Sequence, residues 1–237
     1  MYQNIILHIP HNSALIPDEL GDHNAQALEN MRADAFYMVD YHTLSLFQPS
    51  ESHPNIQILY APLFRMLVDM ERMYNDPLEK DGFGIVSQLA INWLGEEFRP
   101  LALKLYDEYH DNATQMINSS SKPLLIDCHS FSAHPTPLCP CPPDVDICIG
   151  WNEDKTTPER LLLSVITGFF IDCGYKIALN SPFSNSKTFV GATGYHSVMI
   201  EINKRCYMDE ETLKPSPNFQ NLHNQLQRLY SIIFNYR

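Results

Sequence analysis

The 237-residue chain has no uninterrupted apolar run long enough to cross a bilayer, so its pattern excludes a transmembrane helix. It is also short of positive charge, with 16 Lys and Arg against 28 Asp and Glu and a formal net charge of -12. That balance argues against a broad nucleic-acid or anionic-membrane footprint, and any anionic substrate must find local arginines. The opening "MYQNIILHIPHNS" has neither a basic n-region nor a cleavage site of small residues, so the six cysteines read as reduced and the chain as cytoplasmic. Cys139 and Cys141 are one residue apart, tighter than the spacing of zinc cysteines, and no second such pair completes four ligands. They read as ordinary thiols in "SAHPTPLCPCPPD", the only strongly biased stretch. No internal repeat is visible.

What the chain does have is apolar content, 44% of its residues, which fills a substantial core and fits one domain over residues 1–237. Strand-like runs recur between longer helical patterns: "NIILHI", "IQILYA" continuing into "FRMLVDM", "PLLIDCHS", "DICIG", "KIALN" and "SVMIEI". Helical periodicity covers about residues 24 to 47, 87 to 118, 156 to 173 and 218 to 235. The alternation predicts an α/β fold with a largely parallel sheet. Leu222, Leu226, Leu229 and Ile233 recur at helical spacing and predict a stripe packed on that sheet.

Two apolar strands run into a histidine. "ILHIPHNS" stops at Pro10 and delivers His11 to the rim of the sheet, where the sites of open α/β folds collect. "PLLIDCHS" ends at His129, with Asp127 two positions earlier on the same strand face, placed to orient the imidazole. Either histidine alone reads as structural; together, with carboxylates nearby, they also suit one metal. A Cys128–His129 nucleophile is disfavoured because adjacent strand residues point to opposite faces. In "SVMIEINKRC", Glu201 shares a face with Met199 and Asn203. A carboxylate there needs a partner, such as Lys204 or Arg205, or serves as a general base. Arg65 and Arg72 bracket "FRMLVDMER" and suit capture of a substrate carboxylate, or else an internal pair of Arg72 with Asp69 or Glu71. For a third metal ligand the helix "MRADAFYMVDYHTLSLF" offers Asp34, Asp40 and His42; Asp34 and Asp40 are six apart, so at most one of them points at the site, and most acids on a helix are simply solvated.

Taken in order, Pro-His-Asn-Ser, the acidic helix, Arg65 with "VDMER", "LLIDCHS", "GYKIALNSPF" and "MIEINKRCYMDE" resemble the N-formylglutamate amidohydrolase family from about residue 5 to residue 210. The resemblance implies a three-layer α/β/α sandwich with a mixed, largely parallel sheet, phosphorylase/hydrolase-like and similar to zinc carboxypeptidases and peptidoglycan amidases. It implies one zinc ion per chain on His11, Asp34 and His129, with Asp40 as the alternative acid. Glu201 would be the general base, Arg65 would help the oxyanion, and Arg72 would hold a substrate carboxylate, with Asn180 and Ser184 beside it. The implied substrate is a small N-acyl amino acid or short peptide. Other readings keep the chemistry on a γ-glutamyl compound or cell-wall fragment, or make the chain a non-catalytic binder of an acidic metabolite. The chain differs from the family pattern at Asn12-Ser13-Ala14, which lacks the glycine usual after the first histidine. It differs again at Glu71, where asparagine is usual, and at Ser184-Asn185-Ser186, which replaces a Gly-Gly turn.

Overall fold

A computed structural model describes residues 2–20, 25–136, 139, 143–186, 189 and 191–236, apart from the side chains at 25, 27 and 34–36. The chain runs β1 (Asn4–Ile9), α1 (Ala25–Met38), α2 (Thr43–Phe47), β2 (Ile56–Tyr60), α3 (Gln88–Leu94), α4 (Arg99–Ser119) and β3 (Pro123–Phe131). It continues through β4 (Ile147–Gly150), α5 (Arg160–Asp172), β5 (Ile177–Leu179), β6 (His196–Asn203), β7 (Met208–Asp209), β8 (Lys214–Pro215) and α6 (Phe219–Asn235). Six strands form one sheet in the order β2-β1-β3-β6-β4-β5. β2, β1, β3 and β6 are mutually parallel, β4 is antiparallel to β6, and β5 is parallel to β4. The sheet is therefore mixed and mostly parallel, with helices on both faces.

Strand alternation sorts the side chains between two cores. Ile5, Leu7 and Ile9 of β1, Leu124, Ile126 and Cys128 of β3, and Val198, Ile200 and Ile202 of β6 share a core with residues of α2, α5 and α6. The stripe Leu222, Leu226, Leu229 and Ile233 of α6 is wholly buried there, each side chain contributing about 1.5–3 kcal/mol. Ile6 and Leu125 enter the other core, with residues of α1, α3 and α4. That second face also carries His8, Asp127, His129 and Glu201, the polar residues of the central strands. Parallel register sets His8 beside Asp127, Asp127 beside Met199, and His129 beside Glu201.

Three expectations are corrected. The helical pattern from 24 to 47 is two helices, because His42 takes a left-handed conformation (φ 65) and Thr43 bonds Asp40 O through both its N–H and its hydroxyl. The pattern from 87 to 118 breaks at Gly95, whose φ of 81 and ψ of 170 belong to glycine. Residues 64–70 do not extend a strand. They form turns, with Leu67 N–H bonding Phe64 O, and Asp69 N–H bonding Ile85 O. Cys141 and its immediate neighbours lie outside the described residues.

Candidate metal and hydrolytic site

At the carboxyl end of β1, Pro10 ends the ladder and the next residue, His11, is buried in the connection. His129 is the seventh residue of β3, and the two imidazole centroids lie 5.1 Å apart. Asp40 reaches both from the turn after α1: its Oδ2 is 3.4 Å from His129 Nδ1 and 3.9 Å from His11 Nδ1. Asp40 is fixed in place by its own N–H to His11 O, 2.8 Å, and by Ser130 N–H donating to Oδ2, 3.2 Å. One ligand atom from each of His11, Asp40 and His129 lies within 4.8 Å of the others. The acid in this cluster is thus Asp40, the alternative, because the chain leaves helical geometry before it and turns its carboxylate back to the strand ends. Asp34 lies on α1, and its side chain is outside the described residues.

The opposite ring nitrogens face a second layer of carboxylates. His11 Nε2 is 3.0 Å from Asp69 Oδ1 and 3.5 Å from Glu71 Oε2. His129 Nε2 is 3.0 Å from both Asp127 Oδ1 and Glu71 Oε1. Asp127 also meets His8 Nδ1 at 2.7 Å and accepts from Ser186 Oγ at 2.9 Å. Burial opposes charge on His129, but Glu71 and Asp127 outweigh it and hold the imidazole well above its usual range. At His11 burial prevails, assisted by Arg65, and its pKa falls. Burial would raise Asp69, yet Arg65 and His11 hold its carboxyl well below the usual range.

Arg65 is committed to Asp69, donating from Nε (3.0 Å) and Nη2 (2.7 Å) to Oδ2. Arg72 Nε stands 3.6 Å from the same oxygen and is buried without a hydrogen-bond partner among the described residues. Glu201 pairs with neither neighbouring cation there. Lys204 donates to Val39 O at 2.8 Å, and Arg205 binds Asp144 and Asp146. Burial, helped by the nearby carboxylates of Asp40, Glu71 and Asp127 and opposed by His129, pushes Glu201 up to about 8. Cys128 faces the other core, as strand alternation requires.

One cavity of about 490 Å³ is lined by His11, Asp40, Arg65, Arg72, His129 and Glu201, and also by Ser184. Asn180 stands outside it, its Oδ1 accepting from Trp151 N–H at 2.7 Å and so joining the ends of β5 and β4. A larger cavity, about 580 Å³, opens beside Tyr2 and His53, and no carboxylate lines it.

The sequence model of the N-formylglutamate amidohydrolase family matches residues 3–208. The chain belongs to that family. Membership supports a hydrolase acting on an amide bond. A crystal structure of N-formylglutamate amidohydrolase from Ralstonia eutropha JMP134 is similar at 18% identity, covering 99% of this chain and 94% of its own, with a TM-score of 0.66. A gene product of Agrobacterium tumefaciens is similar at 18% identity, covering 98% of this chain and 92% of its own, with a TM-score of 0.65. Those two likenesses bear on the fold. No curated protein matches by sequence. No helix among the described residues is long and apolar enough to cross a membrane.

Two residues of this cluster were not singled out in the sequence as part of a site. Asp69 was visible only as a possible partner of Arg72, although a carboxylate inside the apolar run "MLVDM" is the same signal that marks Glu201. His8 is screened in the sequence by the apolar residues around it, and only strand register brings it to Asp127.

Proposed function

We propose that the chain is a metal-dependent amide hydrolase that cleaves an N-acyl amino acid of the N-formylglutamate type, with zinc held by His11, Asp40 and His129. The observation that carries this reading is the convergence of two imidazoles and a carboxylate from three separate segments on one cavity that also contains Glu201. The donors fit a cation of this kind, since two nitrogens and one carboxylate oxygen are common zinc ligands. His11 Nδ1 is buried with no hydrogen-bond partner among the described residues, the state of an atom that a cation would satisfy. A zinc ion bound there would supply Lewis-acid polarisation of a carbonyl and lower the pKa of water to roughly 7.

The rest of the chemistry belongs to the side chains. Glu201, raised to about 8 in the metal-free chain, would ionise beside a bound cation, and its carboxylate could then take a proton from water and pass it to the leaving nitrogen. Arg72, whose buried Nε faces Asp69 at 3.6 Å without a hydrogen bond among the described residues, lines the cavity and offers its guanidinium to the substrate carboxylate. Arg65 stays charged beside Asp69 and favours negative charge developing on the carbonyl oxygen. Asp127 orients His129, and Ser184 lies where the amino-acid part of the substrate enters.

The deciding experiment is elemental analysis of wild type, His11→Ala and His129→Ala, followed by assay on a panel of N-acyl amino acids. About one zinc per wild-type chain, lost in both variants and accompanied by turnover of a panel member, is the expected result. Absence of metal from zinc-treated wild type would overturn the reading in favour of a binding protein.

A further inference from the structure

We propose that Glu71 is a positioning residue that braces both imidazoles of the metal site on their Nε2 side, so that each presents Nδ1 to the cation. The inference rests on the reading that His11, Asp40 and His129 hold that cation, and it adds the atoms used and the group that selects them.

The geometry is two-sided. Both Nδ1 atoms face Asp40 Oδ2, at 3.4 Å from His129 and 3.9 Å from His11. Both Nε2 atoms face carboxylates that are not in that ligand group. Asp69 serves His11 alone and Asp127 serves His129, each at 3.0 Å. Glu71 is the carboxylate that reaches both rings, Oε1 at 3.0 Å from His129 Nε2 and Oε2 at 3.5 Å from His11 Nε2. Its backbone N–H donates to Asp69 Oδ1 at 3.0 Å, so the turn carrying it is tied to the group behind His11.

A neutral imidazole carries one N–H, and a carboxylate facing one ring nitrogen selects the tautomer with the proton there. Three carboxylates on the Nε2 side therefore leave the Nδ1 lone pairs for the metal. Carboxylates behind ligand histidines also fix ring orientation and raise basicity, and losing one commonly costs about 10- to 100-fold in metal affinity.

The test uses the full chain, with zinc as the probe. Competition against a chelator should show zinc affinity lower by about 10- to 100-fold in Glu71→Ala, with part of the loss restored in Glu71→Gln, whose amide oxygen still accepts from one ring. Glu71→Gln carries the test if the alanine variant fails to fold. Histidine side-chain ¹⁵N spectra of zinc-loaded wild type should show a proton on Nε2 of both rings and none on Nδ1. Equal affinity in wild type and a folded Glu71→Ala overturns the proposal alone, as does an Nδ1 proton on either ring. Two zinc ions per chain also overturn it, because Glu71, Asp127 and His129 would then be ligands of a second cation. No zinc bound by wild type overturns the metal reading and this proposal together.

Discussion

Glu201 lies beside His129 in the parallel register of β3 and β6, in a cavity whose other acids are each held by a cation, an imidazole or a backbone N–H. Its own carboxylate has no such partner among the described residues, and burial raises it to about 8. Glu201→Gln preserves shape and removes the titrating oxygen. Turnover should fall by about 10²- to 10⁴-fold in steady-state assays, with the metal content by elemental analysis unchanged. Lys204 supports the site from behind. Its ammonium is buried at the end of α1 and donates to Val39 O, one residue before Asp40. Lys204→Met should leave that carbonyl unsatisfied and cost about 1–3 kcal/mol in chemical denaturation, with zinc affinity reduced because the Asp40 turn loses its anchor.

At the scale of elements, the site depends on where segments stop. β1 ends at a proline, α1 ends before Asp40, and the 64–70 segment folds into turns instead of a strand, which brings Asp69 and Glu71 under the two histidines. Each stop is a local event that periodicity alone does not register. The break at Gly95 shows the same limit, since the apolar spacing continues through it while the backbone takes φ 81 and ψ 170. A side chain added at Gly95 would also meet the Glu97 carboxylate at 2.3 Å unless that side chain moved away. Gly95→Ala should therefore lower stability by about 1–3 kcal/mol, measured by denaturant unfolding, with little effect on metal content because α3 and α4 supply no cavity residue. Asp40 was legible as one of two acids on an apparent helix. Choosing between them required the helix end, which His42 and Thr43 set through backbone bonds.

At the scale of the whole molecule, one sheet edge concentrates two imidazoles and several carboxylates, and that makes stability depend on pH in the metal-free protein. Glu201 is raised to about 8 from 4.5, and His129 is raised well above 6.5. Between about pH 6.5 and 8 the folded chain therefore binds more protons than the unfolded chain, so stability falls as pH rises, by up to about 1.4 kcal/mol per pH unit for each proton. The lowered His11 and His110 work in the opposite direction only up to their unfolded value of 6.5, below this window. Urea denaturation of chelator-treated protein should show the decline, and Glu201→Gln should make it shallower, leaving the share that His129 contributes. A flat wild-type profile would mean that these two groups are not protonated in the fold.

The sequence by itself determined the class of fold and the membership of the central strands, because apolar alternation and the burial it drives are local in the chain. It also identified His11, His129 and Glu201 as polar groups at or within apolar strands, where a bare side chain is costly. It carried the family resemblance that the match over residues 3–208 bears out. Only the tertiary structure decided that Asp40 joins the two histidines, that Arg65 is spent on Asp69 while Arg72 Nε stands without a hydrogen bond among the described residues, and that Asn180 serves a strand end outside the cavity. Those outcomes depend on register between strands distant in sequence and on turns closed by backbone hydrogen bonds. A three-dimensional arrangement of that kind leaves no periodic trace in the order of residues.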